Sequence, residues 1–462
     1  MALQPICIIN VVGLTSGHIG PKTPQMARVA GEGGMTPLRS ILPAVTCPVQ
    51  ATILTGERPS THGIVGNGWL HRETGEVRFW QQSNRLIQGE TLYATARRIA
   101  RESGKAFTAA KLFWWFNQGA PVDFSVTPKP HYGSDGSKVF GIAGDPPDLT
   151  PALESKLGPF PFFSFWGPAS GLPATDWIAR ATAEVLRTRR PTLTLTYLPH
   201  LDYDFQRHGP DFPSAPQRLE EVDRCAGLVI DAAREIGAEI VVLSEYGIVP
   251  VRRPILINRA LRTAGWLAVR TGPFGEMLDT FASKAFAVVD HQVAHVYVRD
   301  EALLPEIGER LGALEGVARV LDGEGRRKEG LDHPRSGELV LLADPDAWFA
   351  YPYWLEDREA PDFARTVDIH RKPGFDPCDL FLDPKLTFPS LRVARRLLQK
   401  ALGFRMRMDV IPLDPQMVGG SHGLLIDEPK NGPVLIASFG GELPRTMMNI
   451  KEWILGRMGL ND

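Results

Sequence analysis

The sequence predicts an α/β protein built on a buried, mostly parallel sheet, with a smaller α+β unit inserted late in the chain. Three observations lead there. Residues 6–12 and 239–243 are apolar almost without interruption, as in strands covered on both faces, and residues 192–197 alternate as a strand. Helical stretches at 91–103, 177–187 and 216–236 lie between them, the spacing of strand–helix–strand units. At 462 residues the chain is long for one core. A helix at 302–316 and two strands within 317–345 read as a separate unit, so the division is 1–285 with 416–462 as core and 286–415 as a cap-like insertion.

The chain opens in the apolar run PICIINVVGL, with no basic stretch and no small-residue cleavage site ahead of it. No signal peptide is read there, and a cytoplasmic location is expected. No apolar run reaches membrane-spanning length. Nothing in the composition, 43% hydrophobic and 23% charged with net charge −2, points to a nucleic-acid-binding surface. Cys7, Cys47, Cys225 and Cys378 are scattered without CxxC spacing, which predicts free thiols and a reducing compartment.

Residues 41–45 read as the end of a strand, and a helix opens at Cys47-Pro48, where proline's missing N–H costs nothing. Thr46 then sits at the handover from strand to helix. Free backbone N–H groups and the positive end of the helix dipole lie beside its hydroxyl, a place suited to an anion. Gly56, Pro59, Gly63, Gly66 and Gly68 next turn the chain sharply around His62 and Asn67. Residues 117–172 are dense in Pro, Gly and Phe; an irregular segment of that length in a compact domain predicts one wall of a substrate pocket. Trp114 and Trp115 read equally well as a brace under the sheet. Residues 284–298 read as one strand carrying Asp290, His291 and His295. Asp368 and His370, two apart in RTVDIH, would face the same way on a strand and form a ligand pair, and Arg371 and Lys372 after them suit an anionic substrate. A closing strand at 435–439 and a helix at 449–458 end the chain.

Pro43-x-x-Thr46-x-Pro48, then Leu54-Thr55-Gly56, then His62-Gly63-Ile64-x-x-Asn67 resembles the nucleophile region of the alkaline phosphatase superfamily. It is most similar to the type I phosphodiesterase/nucleotide pyrophosphatase family, a group that includes phosphonoacetate hydrolase. The resemblance implies an alkaline phosphatase-like three-layer α/β/α sandwich. It implies that Thr46 attacks phosphorus and that Asn67 holds a phosphoryl oxygen. It also implies two metal ions, each on three side chains, bridging the attacking and leaving oxygens. One family set is an aspartate closing the first strand, a later Asp-His pair and the nucleophile; here those positions read Val12, Glu245, Tyr246 and Thr46. The other is Asp-x-x-x-His with a late histidine, here Asp202, Gln206 and His422, with His208 two residues on as a substitute.

Valine ligates nothing, tyrosine lacks the imidazole, and glutamine serves a hard cation better than zinc. The expectation is therefore a divalent ion (zinc, magnesium, manganese or calcium), one alone or an altered pair with oxygen-rich ligands, on Asp202, Gln206, Glu245 and His422. The expected reaction is cleavage of a phosphodiester, pyrophosphate or related phosphoryl bond in a phosphorylated small molecule. Two alternatives stay open: metal-free chemistry with charge from Arg371 or Lys372 and a proton from Tyr246, or a fold kept to bind a phosphorylated metabolite. Sulfatase chemistry, which needs Cys or Ser in a C/S-x-P-x-R context, does not match Thr46-Cys47-Pro48-Val49-Gln50.

Overall fold

The computed structural model describes residues 2–134, 138–404 and 406–460. Its central sheet runs Gly34–Pro37, Val434–Ala437, Glu239–Leu243, Ile6–Val11, Leu193–Leu198, Ala109–Leu112, Phe124–Pro128, Ile142–Asp145. The five strands from Glu239–Leu243 to Phe124–Pro128 are parallel, and the other three join antiparallel. Strand periodicity explains the layers. Cys7, Ile9 and Val11 face a helical layer made by Pro24–Glu32, Leu172–Arg189 and Ala215–Glu235, whereas Ile6 and Ile8 face Thr46–Thr55, Leu92–Glu102 and Ile450–Met458. This is the expected three-layer α/β/α sandwich.

Register brings the carboxyl ends of the middle strands together: Asn10 lies opposite Tyr197 on one side and Leu243 on the other. In parallel sheets that edge is where ligands bind. The loops carrying Asp202 and Glu245 leave from it.

A second sheet, antiparallel throughout, runs Ala285–Asp290, Val293–Val298, Leu339–Ala343, Val317–Leu321. Residues 284–298 are therefore a hairpin, not one strand. His291 and Gln292 form its two-residue turn, with His291 at φ +59°, so the polar triplet between two apolar runs marks a reversal. Residues 41–45 also differ from expectation. The preceding strand ends at Pro37, and residues 38–45 cross the sheet edge tied by backbone bonds to other loops, Leu38 N–H to Pro433 O and Ala44 N–H to Gly423 O. The helix Thr46–Thr55 takes Val45 as its cap, which puts Thr46 in the first turn itself.

Candidate active site

Leu198 ends its strand, Pro199 turns the chain, and the helix His200–His208 begins. Asp202 falls in its first turn and Gln206 one turn later on the same face, where Gln206 Nε2 donates to Asp202 Oδ2 at 2.7 Å. Tyr246 follows the strand Glu239–Leu243. Its hydroxyl donates to Asp202 Oδ1 at 3.3 Å and lies 3.1 Å from Thr46 Oγ1. His422 Nδ1 meets Ala44 O at 2.8 Å, and its Nε2 lies 3.9 Å from Asp202 Oδ1. Four rings then stack in sequence: Tyr246 on His422 at 3.5 Å, His422 on His291 at 3.7 Å, and His291 on Phe375 at 3.8 Å.

Thr46, Asp202, Gln206, Tyr246, His291 and His422 all line a cavity of about 460 Å³. The remaining lining is largely aromatic, including Trp80, Trp115, Phe140, Phe162 and Trp166. Residues of the 117–172 segment supply much of it, but the segment is not irregular: it holds the sheet strands Phe124–Pro128 and Ile142–Asp145 and the helix Leu149–Leu157, and residues 135–137 lie outside the described residues. Trp115 faces the cavity, whereas Trp114 is fully buried in the core.

Burial sets the electrostatics. It pushes Asp202 up to about 7 against the opposing hydrogen bonds from Gln206 and Tyr246, and lifts the Tyr246 phenol well above its usual value. It takes His422 down to about 3, so the ring is neutral and, with Nδ1–H given to Ala44 O, Nε2 carries the lone pair.

The structure leaves other expected site residues off the cavity wall. Glu245 sits behind Thr46 without lining the cavity; its Oε1 accepts from Asn10 Nδ2 and Gln50 Nε2, both at 2.6 Å, and Oε2 has no partner. Burial pushes this acid up to about 8 despite those two bonds and the opposing effect of the neighbouring Thr46 hydroxyl. Asn67 is also spent internally. Its Oδ1 takes the Cys47 N–H at 2.9 Å, and its backbone and side-chain N–H groups both go to Asp290. It therefore braces the helix turn behind Thr46, and its amide does not reach the cavity. His208 is exposed against Phe212 and does not line the cavity. Asp368 and His370 lie in an irregular stretch, not a strand, and only His370 reaches the cavity. Lys372 is buried between Asp376 and Asp379, 2.6 Å from each, and is not free for a substrate anion.

Four residues here escaped the sequence reading: Asn10, Gln50, Asp290 and His291. Asn10 was readable as the one polar residue in an apolar strand, two positions before Val12. Asp290 and His291 were readable once their strand is split into a hairpin whose tip reaches the site. Gln50 gave no signal beyond its place on the Thr46 helix, where it holds Glu245 and accepts the Trp115 N–H at 2.8 Å.

A profile of the type I phosphodiesterase / nucleotide pyrophosphatase family matches residues 6–376. Ectonucleotide pyrophosphatase/phosphodiesterase family member 1 of Mus musculus is 21% identical over 290 residues, 60% of this chain and 28% of that protein. An uncharacterized pyrophosphatase/phosphodiesterase of Schizosaccharomyces pombe is 26% identical over 239 residues, 49% of this chain and 41% of that one. The chain thus spans well under half the length of these curated relatives. Among solved structures, phosphonoacetate hydrolase from Sinorhizobium meliloti in complex with phosphonoacetate superposes with a TM-score of 0.64 at 18% identity, covering 99% of this chain and 96% of that one. An inactive form of murine ectonucleotide pyrophosphatase / phosphodiesterase 5 in complex with AMP gives 0.58 at 14% over the same shares. These structural likenesses carry the fold, and the profile carries the lineage: the chain belongs to the type I phosphodiesterase/nucleotide pyrophosphatase family.

Proposed function

We propose that the chain hydrolyses a phosphodiester, pyrophosphate or related phosphoryl bond of a phosphorylated small molecule, with Thr46 as nucleophile. The observation that carries this reading is the line of hydroxyls behind Thr46. Tyr246 donates its own proton to Asp202, so its oxygen accepts the proton of the Thr46 hydroxyl 3.1 Å away. Passage of a proton along this line frees Thr46 Oγ1 to attack phosphorus, the leaving oxygen departs, and water then hydrolyses the phosphothreonine. In the first turn of the Thr46–Thr55 helix the Cys47 N–H goes to Asn67 and Pro48 has none, so what this turn supplies to the equatorial oxygens is its dipole, at Thr46.

A standard dinuclear zinc centre does not fit these residues. Among the described residues no group of three or more His, Cys, Asp or Glu side chains could hold a metal, and Tyr246 fills the space between Thr46 and Asp202. One harder divalent ion fits better. Asp202, Gln206 and His422 share the cavity, the buried Gln206 Oε1 has no partner, and His422 presents a lone pair at Nε2 fixed by its backbone bond. Those three residues would hold the ion, which when bound supplies positive charge to the phosphoryl oxygens.

The test is turnover of bis-p-nitrophenyl phosphate by wild type and Thr46→Ala, before and after chelation and resupply of magnesium, manganese, zinc or calcium. Loss of the nucleophile is expected to lower kcat by at least about 10³-fold. Equal hydrolysis by both proteins would show that Thr46 is not the attacking group. A second reading, a binding protein for a phosphorylated metabolite, draws on the internal use of Asn67 and the Cys47 N–H, two donors that a phosphoryl oxygen would need. Saturable binding of AMP or pyrophosphate without turnover, unchanged in Thr46→Ala, would favour it.

A further inference from the structure

The helix Pro389–Ala401 carries its apolar stripe outward. Leu391 and Leu398 are seven residues apart, which places them on one helical face, and Leu402 follows just past the helix end. They are 67%, 59% and 64% exposed. Phe388 and Phe404 flank the helix and are equally exposed. The inner face is held by Val393, packed near Val251 and Trp348, and by Arg392 and Arg396, which share Asp409. The helix Leu92–Glu102 does the opposite with a similar pattern, burying Leu92, Ala96 and Ile99. An apolar helical face left in water beside a well-packed core marks a contact surface.

Charge selects the partner. Seven lysines and arginines and no acidic residue fall between residues 385 and 407, in a chain whose net charge is −2, and three of them, Arg392, Arg396 and Arg407, are paired with Asp409 and Asp362. Exposed Arg395 lies beside the leucine stripe, and neither it nor exposed Lys385 has an ion pair among the described residues. A second copy of the chain would set one cationic face against another. An anionic lipid surface satisfies both features, taking the leucines and phenylalanines at the headgroup boundary and the basic flank against phosphate oxygens. We infer that this helix docks the protein in-plane on an anionic bilayer. Among the described residues no helix is long and apolar enough to cross a membrane, so the contact is interfacial. The inference does not depend on the reaction proposed above.

Flotation of the full chain with vesicles of phosphatidylcholine alone, and of phosphatidylcholine with phosphatidylglycerol, tests it. Wild type is expected to float with the anionic vesicles only and to be released by high salt. The double variant Leu391→Asp/Leu398→Asp should lower the bound fraction at least about tenfold, and Arg395→Glu should lower it less, with thermal melting little changed for both because these side chains are exposed. Equal binding to neutral and anionic vesicles, binding that survives both variants, or a dimer in sedimentation that the double variant dissociates in a protein that ignores vesicles would each overturn it.

Discussion

Asp202 and Glu245 follow the two strands that flank Ile6–Val11, and burial raises both acids, to about 7 and about 8. Their surroundings differ. Asp202 lies on the cavity wall, meeting Gln206 and Tyr246, with His422 3.9 Å away. Glu245 lies off it, with one oxygen claimed by two amides. Two carboxylates that the family resemblance assigns alike have thus parted: one keeps contact with a substrate-sized space, and the other has become the centre of a buried amide cluster. A raised acid is a candidate for chemistry only when a ligand can reach it.

The largest expected effect sharpens that difference. Asp202→Asn keeps the shape of the side chain but removes the charge that would hold a cation and the ability to take up a proton at the end of the Thr46–Tyr246 line. It should lower kcat/KM by about 10²–10³-fold and weaken activation by added divalent ion, measured in the same titration. Tyr246→Phe comes next. It preserves the ring stacked on His422 and deletes only the hydroxyl, so kcat should fall by about 10–100-fold with KM little changed. A variant with wild-type kcat would remove Tyr246 from the proton path.

Asn67→Ala acts through position. It leaves the Cys47 N–H without its acceptor and strips Asp290 of the side-chain donor while the backbone N–H remains, so melting temperature should drop, with a destabilisation of about 1–3 kcal/mol. If Asn67 instead grips substrate, KM would rise while stability stays put.

Much of this was legible because apolar patterning speaks directly about burial. The strands Ile6–Val11, Leu193–Leu198 and Glu239–Leu243 and the helices between them follow from local sequence, whereas Ala109–Leu112 and Phe124–Pro128 sit in aromatic- and proline-rich sequence without a strand pattern. What stayed hidden depended on partners distant in the chain. Nothing near Glu245 announces that Asn10 and Gln50 will satisfy it, since these residues lie 235 and 195 positions away. Counting from the family pattern pointed to Val12, whereas the strand's polar side chain, Asn10, is the one that meets Glu245. His208 looked able to replace the missing imidazole, but the helix beginning at His200 turns it outward, two residues past the face that Asp202 and Gln206 share.

Glu245→Gln gives the smallest change in activity and the cleanest separation of the two acids. The folded-state value, about 8, lies above that of an unfolded glutamate. Between the two values the native state binds more protons, so this group's contribution to stability is full in acid and declines as pH rises toward 8, by up to about 1.4 kcal/mol per pH unit. Glutamine matches the protonated acid in shape, and its carbonyl still accepts from Asn10 and Gln50, but it does not ionise. The variant should therefore keep activity within about threefold at pH 7, because no charge is lost there. Urea denaturation across pH 5–9 should show a flatter decline in the variant than in wild type. An inactive variant with an unchanged pH slope would mean that Glu245 works ionised, as a ligand, and that the contrast with Asp202 is false.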